Sequence, residues 1–301
     1  MLLFLGQLAN AQEPVVYQSL RQALKNKETA EALDLSSKHL KKLDPRIGEL
    51  TNLKFLNISF NKIEEVPPEL ANLTQLRHFI AEYNEFTEVP EELKGMHDLQ
   101  VLYMGTNNIS EVPEWVLKFD QLTDLLLNEN RLTSFPEGIE HLQQLKILAL
   151  QENRLTEVPK GVTQIAGLEE LYFYENKITR LPANMDDLVN LEVLDITENR
   201  LTEIPVSLSQ CTELRELKLA ENQITKLPKG MITLNGMKEF SLDEDDLDRD
   251  SRRMFRSYVR KNDISTFANV HGGLGYCDST DYFRNEARPK SSFANKVSKN
   301  N

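Results

Sequence analysis

The chain has 301 residues, 40% of them hydrophobic, with 35 Lys and Arg against 47 Asp and Glu and a formal net charge of −12. That sign disfavours nucleic acid and anionic membrane surfaces as general partners, because both require a basic footprint. Two cysteines exclude a disulfide framework, and no apolar run is long enough to span a bilayer.

Residues 1–12, MLLFLGQLANAQ, join an apolar run to Ala9-Asn10-Ala11. This matches the apolar region and A-x-A cleavage site of a secretory signal peptide, although it is short and has no Lys or Arg ahead of the run. Export to the periplasm, cell surface or medium, with cleavage after Ala11, is expected; a cytoplasmic protein with an apolar N-terminus is the alternative. Val15 to Lys27 then reads as a helix: Val16, Leu20, Ala23 and Leu24 share one face, and Arg21, Gln22 and Lys25 turn to solvent. The segment 13–31 is accordingly expected to be an N-terminal helical cap.

From 32 to 247 the sequence repeats every 23 residues. Asparagines stand at Asn61, Asn84, Asn107, Asn130, Asn153, Asn176, Asn199 and Asn222, and prolines keep the same pitch from Pro67 to Pro228. Self-similarity at such a period marks a solenoid. One copy reads Leu145, Leu148, Leu150, Asn153, Leu155, Val158, Pro159, Val162, Ile165. The Leu-x-Leu pair alternates with period two, so both side chains point to one face of a short strand. No copy buries that face alone; stacking gives a parallel sheet over one continuous core. Each Asn follows a strand where the chain turns away, and its side chain offers two donors and an acceptor to unpaired backbone groups. The asparagines are therefore a structural ladder. Each Pro fixes φ on the return path, where turns, polyproline segments and single helical turns are expected.

On these residues, Leu33 to Leu247 resembles the leucine-rich repeat family, in a bacterial-type 23-residue form with proline on the outer side. The resemblance implies an α/β fold: a curved horseshoe with a parallel β-sheet on its concave face, short turns and 3-10 segments on the convex face, and helical caps at both ends. It also implies protein–protein interaction as the class of function. About ten copies fill 32–247. The first is degenerate, with Lys38 and Asp44 in the Asn and Pro places, and so is the last, with Asp245 in the Asn place.

Residues 248–264 form the second cap, a helix with Asp248 and Asp250 in its first turn, Arg260 and Lys261 in its last, and an apolar stripe of Leu247, Met254, Phe255, Tyr258 and Val259. The stretch 265–301 is polar and expected to be largely disordered. His39, His78, His97, His141 and His271 stand at no ligand spacing, and no nucleophile, phosphate-binding or zinc motif is present, so no catalytic, cofactor or metal residue is assigned. The acidic run from Asp243 to Asp250 lacks the central Gly and closing Glu of a calcium loop. Two charged ladders flank the asparagines, Glu129 to Glu244 before them and Arg131, Arg154, Lys177 and Arg200 after them; pairing across copies is expected.

Residues flanking the buried pair must face outward and form columns. Ile80, Val101, Tyr103, Leu126, Ile147, Tyr172 and Tyr174 make an apolar, aromatic patch, and Glu170, Asp195 and Glu216 make an acidic half beside it. These ten are the predicted contacts for a protein ligand, and truncating Tyr103 and Tyr172 is expected to leave melting nearly unchanged. The reading is a non-enzymatic binding scaffold; the alternatives are a structural or adhesin-like surface protein, a homodimer packed concave face to concave face, and an intracellular signalling scaffold.

Overall fold

A computed structural model describes residues 15–266. The segments 1–12, expected as a leader, and 267–301, most of the expected tail, lie outside the described residues. Within them each repeat supplies one three-residue strand, starting with β2 (Ala32–Asp34) and recurring every 23 residues up to β11 (Glu239–Ser241). The strands follow one another in the sheet in chain order, all parallel. Register pairs each residue with the one 23 positions on, as in Leu102 with Leu125 and Tyr103 with Leu126. A column in the sequence is thus a column in space. The middle residue of each strand, among them Leu33, Leu56, Phe79, Leu102 and Leu125, is fully buried in a core that runs the length of the stack. Nine short 3-10 turns return the chain along the outer side among the described residues. Pro67, Pro90, Pro113, Pro205 and Pro228 stand at the N-cap of five of them, with φ between −73° and −57°. In the first copy, which has no proline there, the Asp44 carboxylate caps the turn by accepting from the Arg46 N–H.

The asparagine ladder works as the sequence implies. Asn153 Nδ2 lies 2.9, 3.1 and 3.1 Å from the carbonyls of Leu127, Leu150 and Gln151, and its Oδ1 accepts from the Leu132 N–H at 2.9 Å. One amide thus binds three carbonyls and one N–H drawn from two adjacent copies. The same pattern recurs at the other seven asparagines, for instance Asn84 and Asn199. The residue before each asparagine is left-handed, with φ of 50–55° at Phe60, Tyr83, Thr106, Glu129, Glu152, Glu175, Glu198 and Glu221. For a residue with a Cβ this conformation costs roughly 1–2 kcal/mol. The bonds of the following asparagine hold it in place.

The N-terminal cap differs from the expected helix. Val16–Tyr17 is a strand, β1, that pairs with β2 through Val16 and Ala32. Helix α1 is confined to Leu20–Lys25, with the Ser19 hydroxyl capping it. The β-branched Val15 and Val16 favour extended backbone, and the edge of β2 offers them hydrogen bonds that a helix start could not use. The predicted apolar face still packs inward: Ala23 is fully buried, and Leu20 and Leu24 lie against the core.

At the other end, α2 (Arg249–Asn262) begins at Asp248, whose carboxylate accepts from the Ser251 N–H at 2.8 Å. Phe255 meets Phe240 edge-on at 5.1 Å, and the Tyr258 hydroxyl donates to the Leu234 carbonyl at 2.7 Å. Asp263, at φ 51°, ends the helix and returns the chain so that Ser265 bridges Glu239 on the last strand. The acidic run is consumed structurally. Asp243 accepts from the Glu221 N–H, Glu244 pairs with Arg256 at 2.7 Å, and Asp245 with Arg252 at 3.6 Å. The expected pairing between the two charged ladders is not made by Arg131 or Glu152. Arg131 instead donates to Asn108 Oδ1 at 2.6 Å, and Glu152 accepts from the Tyr174 hydroxyl at 3.2 Å.

Replacing Asn153 with Ala removes a side-chain partner of the Leu132 N–H and of the Leu127 and Leu150 carbonyls at a buried turn, while the Gln151 carbonyl keeps the Glu129 N–H. Asn153→Ala should lower unfolding stability by on the order of 1–3 kcal/mol in urea titration, and Asn153→Asp, which keeps the shape but loses the donors, by at least as much. A midpoint equal to wild type for either variant would contradict this account of the ladder.

Candidate functional site

On the inner face of the sheet successive copies contribute side chains in register. The pairings bring together all the residues expected there. Val101, Asp124, Ile147, Glu170, Val193, Glu216 and Glu239 form one column; Ile80, Tyr103, Leu126, Ala149, Tyr172, Asp195 and Lys218 form the next. Tyr174 stands just beyond its strand, beside Glu152 of the preceding copy.

The expected openness of this patch is corrected. Ile80 is 1% exposed, Tyr103 4% and Tyr172 8%, and Val101, Leu126, Ile147 and Asp195 are buried as well. Only Tyr174, Glu170 and Glu216 among the ten predicted contacts are half-exposed. Side chains in one column stand about 4.8 Å apart, and on the inside of a curved sheet their outer ends converge. They also bond sideways. The Tyr103 hydroxyl donates to Asp124 at 3.4 Å, and the Tyr172 hydroxyl donates to Glu170 at 2.8 Å. Lys218 Nζ lies 3.7 Å from both Glu216 and Glu239. The apolar residues therefore form a packed floor, and the half-exposed groups stand around it.

Burial sets the electrostatics. It pushes the Asp195 and Glu239 carboxyls above their ordinary values, against the lowering effect of Lys218. It raises the Tyr172 and Tyr174 hydroxyls, so both stay protonated donors, and lowers the His78 imidazole to about 4, which leaves it neutral at pH 7. Sequence reasoning missed two members of the site. Asp124 is a buried acceptor for Tyr103. Gln151 is fully buried with Nε2 and Oε1 both unpaired among the described residues. Alternation alone assigns a side to a residue and does not reveal which neighbours will close over it. Among the described residues no three His, Cys, Asp or Glu side chains are grouped to hold a metal, and no helix is long and apolar enough to cross a membrane.

Four family models match along the stack: a leucine-rich repeat region at residues 68–171, a leucine rich repeat at 143–201, leucine rich repeats in two copies at 189–248, and a leucine rich repeat at 52–73. No curated protein matches the chain in sequence. Among solved structures, the chain is similar to a TDR receptor at 24% identity and TM-score 0.69, over 79% of this chain and 43% of that one. It is similar to the plant peptide hormone receptor RGFR1 in complex with RGF2 at 21% and TM-score 0.58, over 73% and 40%. An internalin from Listeria monocytogenes matches at 21% and TM-score 0.51, over 73% and 75%. The chain thus spans less than half the length of the two receptors. At these identities the likeness is one of fold.

Because the tyrosines are buried, truncating them affects folding. Tyr103→Ala and Tyr172→Ala should each lower unfolding stability by about 2–4 kcal/mol, whereas the Phe variants should lose far less; unchanged melting in the alanine double variant would contradict the packed floor. The carboxylates have an opposite, pH-dependent signature. A folded-state pKa raised above the unfolded value opposes folding once the group ionises, and that opposition fades as pH falls. Asp195→Asn with Glu239→Gln should therefore be more stable than wild type in urea titration at pH 7, by a margin that narrows toward about pH 4.5. A margin that widens on acidification would refute the assignment.

Proposed function

The chain belongs to the leucine-rich repeat proteins, and from that premise we propose that it is a non-enzymatic scaffold that holds a protein ligand against the concave face of its sheet. The observation that carries this reading is the register. It gathers Ile80, Val101, Tyr103, Leu126, Ile147 and Tyr172 from successive copies into one continuous apolar floor. A packed floor is preorganised, so docking on it costs little ordering. Tyr174, Glu170, Glu216 and Lys218 are the half-exposed groups at its edge that a ligand would meet first.

Charge indicates the kind of ligand. Glu216, Glu239 and Asp195 lie around Lys218, and Glu170 follows in the same column as Glu216, which makes four carboxylates to one cation on this part of the face. Ligand Lys or Arg residues would offset that excess and steer the encounter. The similar receptor RGFR1, in complex with RGF2, supports the use of this fold for holding a polypeptide. Export belongs to the same proposal and rests on the segment ending in Ala9-Asn10-Ala11.

Affinity capture with the purified full chain, followed by association kinetics on the captured protein, tests the proposal. Glu170→Gln with Glu216→Gln should slow association by about tenfold at low salt and remove most of its salt dependence, with melting retained. Capture and a salt-dependent on-rate that are unchanged in this variant would refute the concave face as the site. Intact mass of protein recovered outside the cytoplasm should correspond to a chain beginning at Gln12; a full-length chain found only in the cytoplasm would contradict export.

A further inference from the structure

Against the acidic whole, α2 is strongly basic: Arg249, Arg252, Arg253, Arg256, Arg260 and Lys261 face one internal carboxylate, Asp250. At 3.6 residues per turn, Arg249, Arg253, Arg256 and Arg260 fall on one stripe roughly 16 Å long. The helix's apolar side is already committed, with Phe255 and Tyr258 buried against the last copy. Two of the cations are also engaged, Arg252 with Asp245 and Arg256 with Glu244. Among the described residues no carboxylate lies within ion-pair distance of Arg249, Arg253, Arg260 or Lys261, the first three exposed on the stripe and Lys261 exposed beside it.

The complementary surface lies on the same chain. Glu129, Glu152, Glu175, Glu198 and Glu221 form a column at strand spacing, about 4.8 Å per step, so four of them span roughly 14 Å. Like charges aligned across neighbouring strands are destabilising. The Glu152 carboxyl shows this: its pKa is raised by burial first and then by Glu129 and Glu175. No cation forms an ion pair with Glu129, Glu152, Glu175 or Glu221 among the described residues. The next member of the column, Glu244, is the one that α2 of its own chain reaches, and Arg256 holds it at 2.7 and 2.9 Å.

We propose that the basic stripe of α2 docks on the glutamate column of a second copy of this chain, repeating between molecules the Arg256–Glu244 contact made within one. The two patches have opposite sign and comparable length, and the pitches of about 5.5 Å for the arginines and about 4.8 Å for the glutamates nearly match. Because the helix stripe and the column are different patches, two copies can exchange both contacts about a two-fold axis. An anionic bilayer is a poorer occupant, since surface-seeking helices insert an apolar face that α2 has already buried. The column borders the concave face at Glu152, which accepts from the Tyr174 hydroxyl, and the reversals used below spare that pair, so this proposal and the ligand-binding reading are tested separately.

Sedimentation velocity of the full chain tests it, at about 20 mM and about 500 mM salt. A species larger than monomer should form at low salt with rising concentration and revert to monomer at high salt. Arg249→Glu/Arg253→Glu/Arg260→Glu should be monomeric in both buffers with unchanged melting, and so should Glu129→Arg/Glu175→Arg/Glu221→Arg. Mixing the two reversed variants should restore association, because each then presents what the other lacks. A wild-type monomer at low salt, association that survives the helix reversal, or a mixture that stays monomeric would each overturn the proposal. So would wild-type chain that remains monomeric and binds anionic phosphatidylserine vesicles.

Discussion

Every full copy in this stack depends on one bond set: an asparagine amide that joins three carbonyls and at least one N–H across two adjacent copies. Without it, the turn after each strand would leave buried backbone groups unpaired and a left-handed residue unsupported. With it, the turn closes in the same way each time, which keeps the strands in step. Because Asn153 contacts Leu127 and Leu132 of the preceding copy as well as Leu150 and Gln151 of its own, the ladder is also a connection between copies. Stability in such an array is the sum of weak units and the interfaces between them. The asparagines, together with the stacked leucines, make those interfaces.

Strict register has a functional consequence. A side chain's place on the inner face is set by its offset within the 23-residue period, so residues far apart in sequence form one surface. The same rule that collects Tyr103, Leu126 and Tyr172 into a floor also collects carboxylates into columns where they repel. On the inner face Lys218 partly offsets them. Beside the asparagine ladder Glu129, Glu152, Glu175 and Glu221 have no such cation among the described residues, whereas Arg256 of α2 pairs with Glu244.

Much of this was legible in the sequence. The strands, their order, the asparagine contacts and the C-terminal helix can be read from a period of 23 residues and from helix-end chemistry at Asp248. The features that were not legible depend on neighbours in space. Val16 has helical spacing to Leu20, yet an edge strand lay within reach and its branched side chain joined it. No glycine marks the left-handed position, because the asparagine one residue on compensates for glutamates there. Alternation placed Tyr103 and Tyr172 on the correct face but could not show that Asp124 and Glu170 would bind their hydroxyls and that their neighbours would close around them. The pairing expected between charged ladders failed at Arg131 because Asn108 offered it another acceptor.

The ladder can be tested directly by hydrogen exchange of single amides. The N–H groups of Ile63, Leu132, Leu155, Ile178 and Leu201 lie outside any strand or helix, and each donates to the asparagine of the next copy. If the asparagines hold the stack, these amides should be protected as strongly as the central strand residues and open with them as one cooperative set. Exchange at the rate of surface loops, with the strands still protected, would show that the copies are held by their apolar core alone.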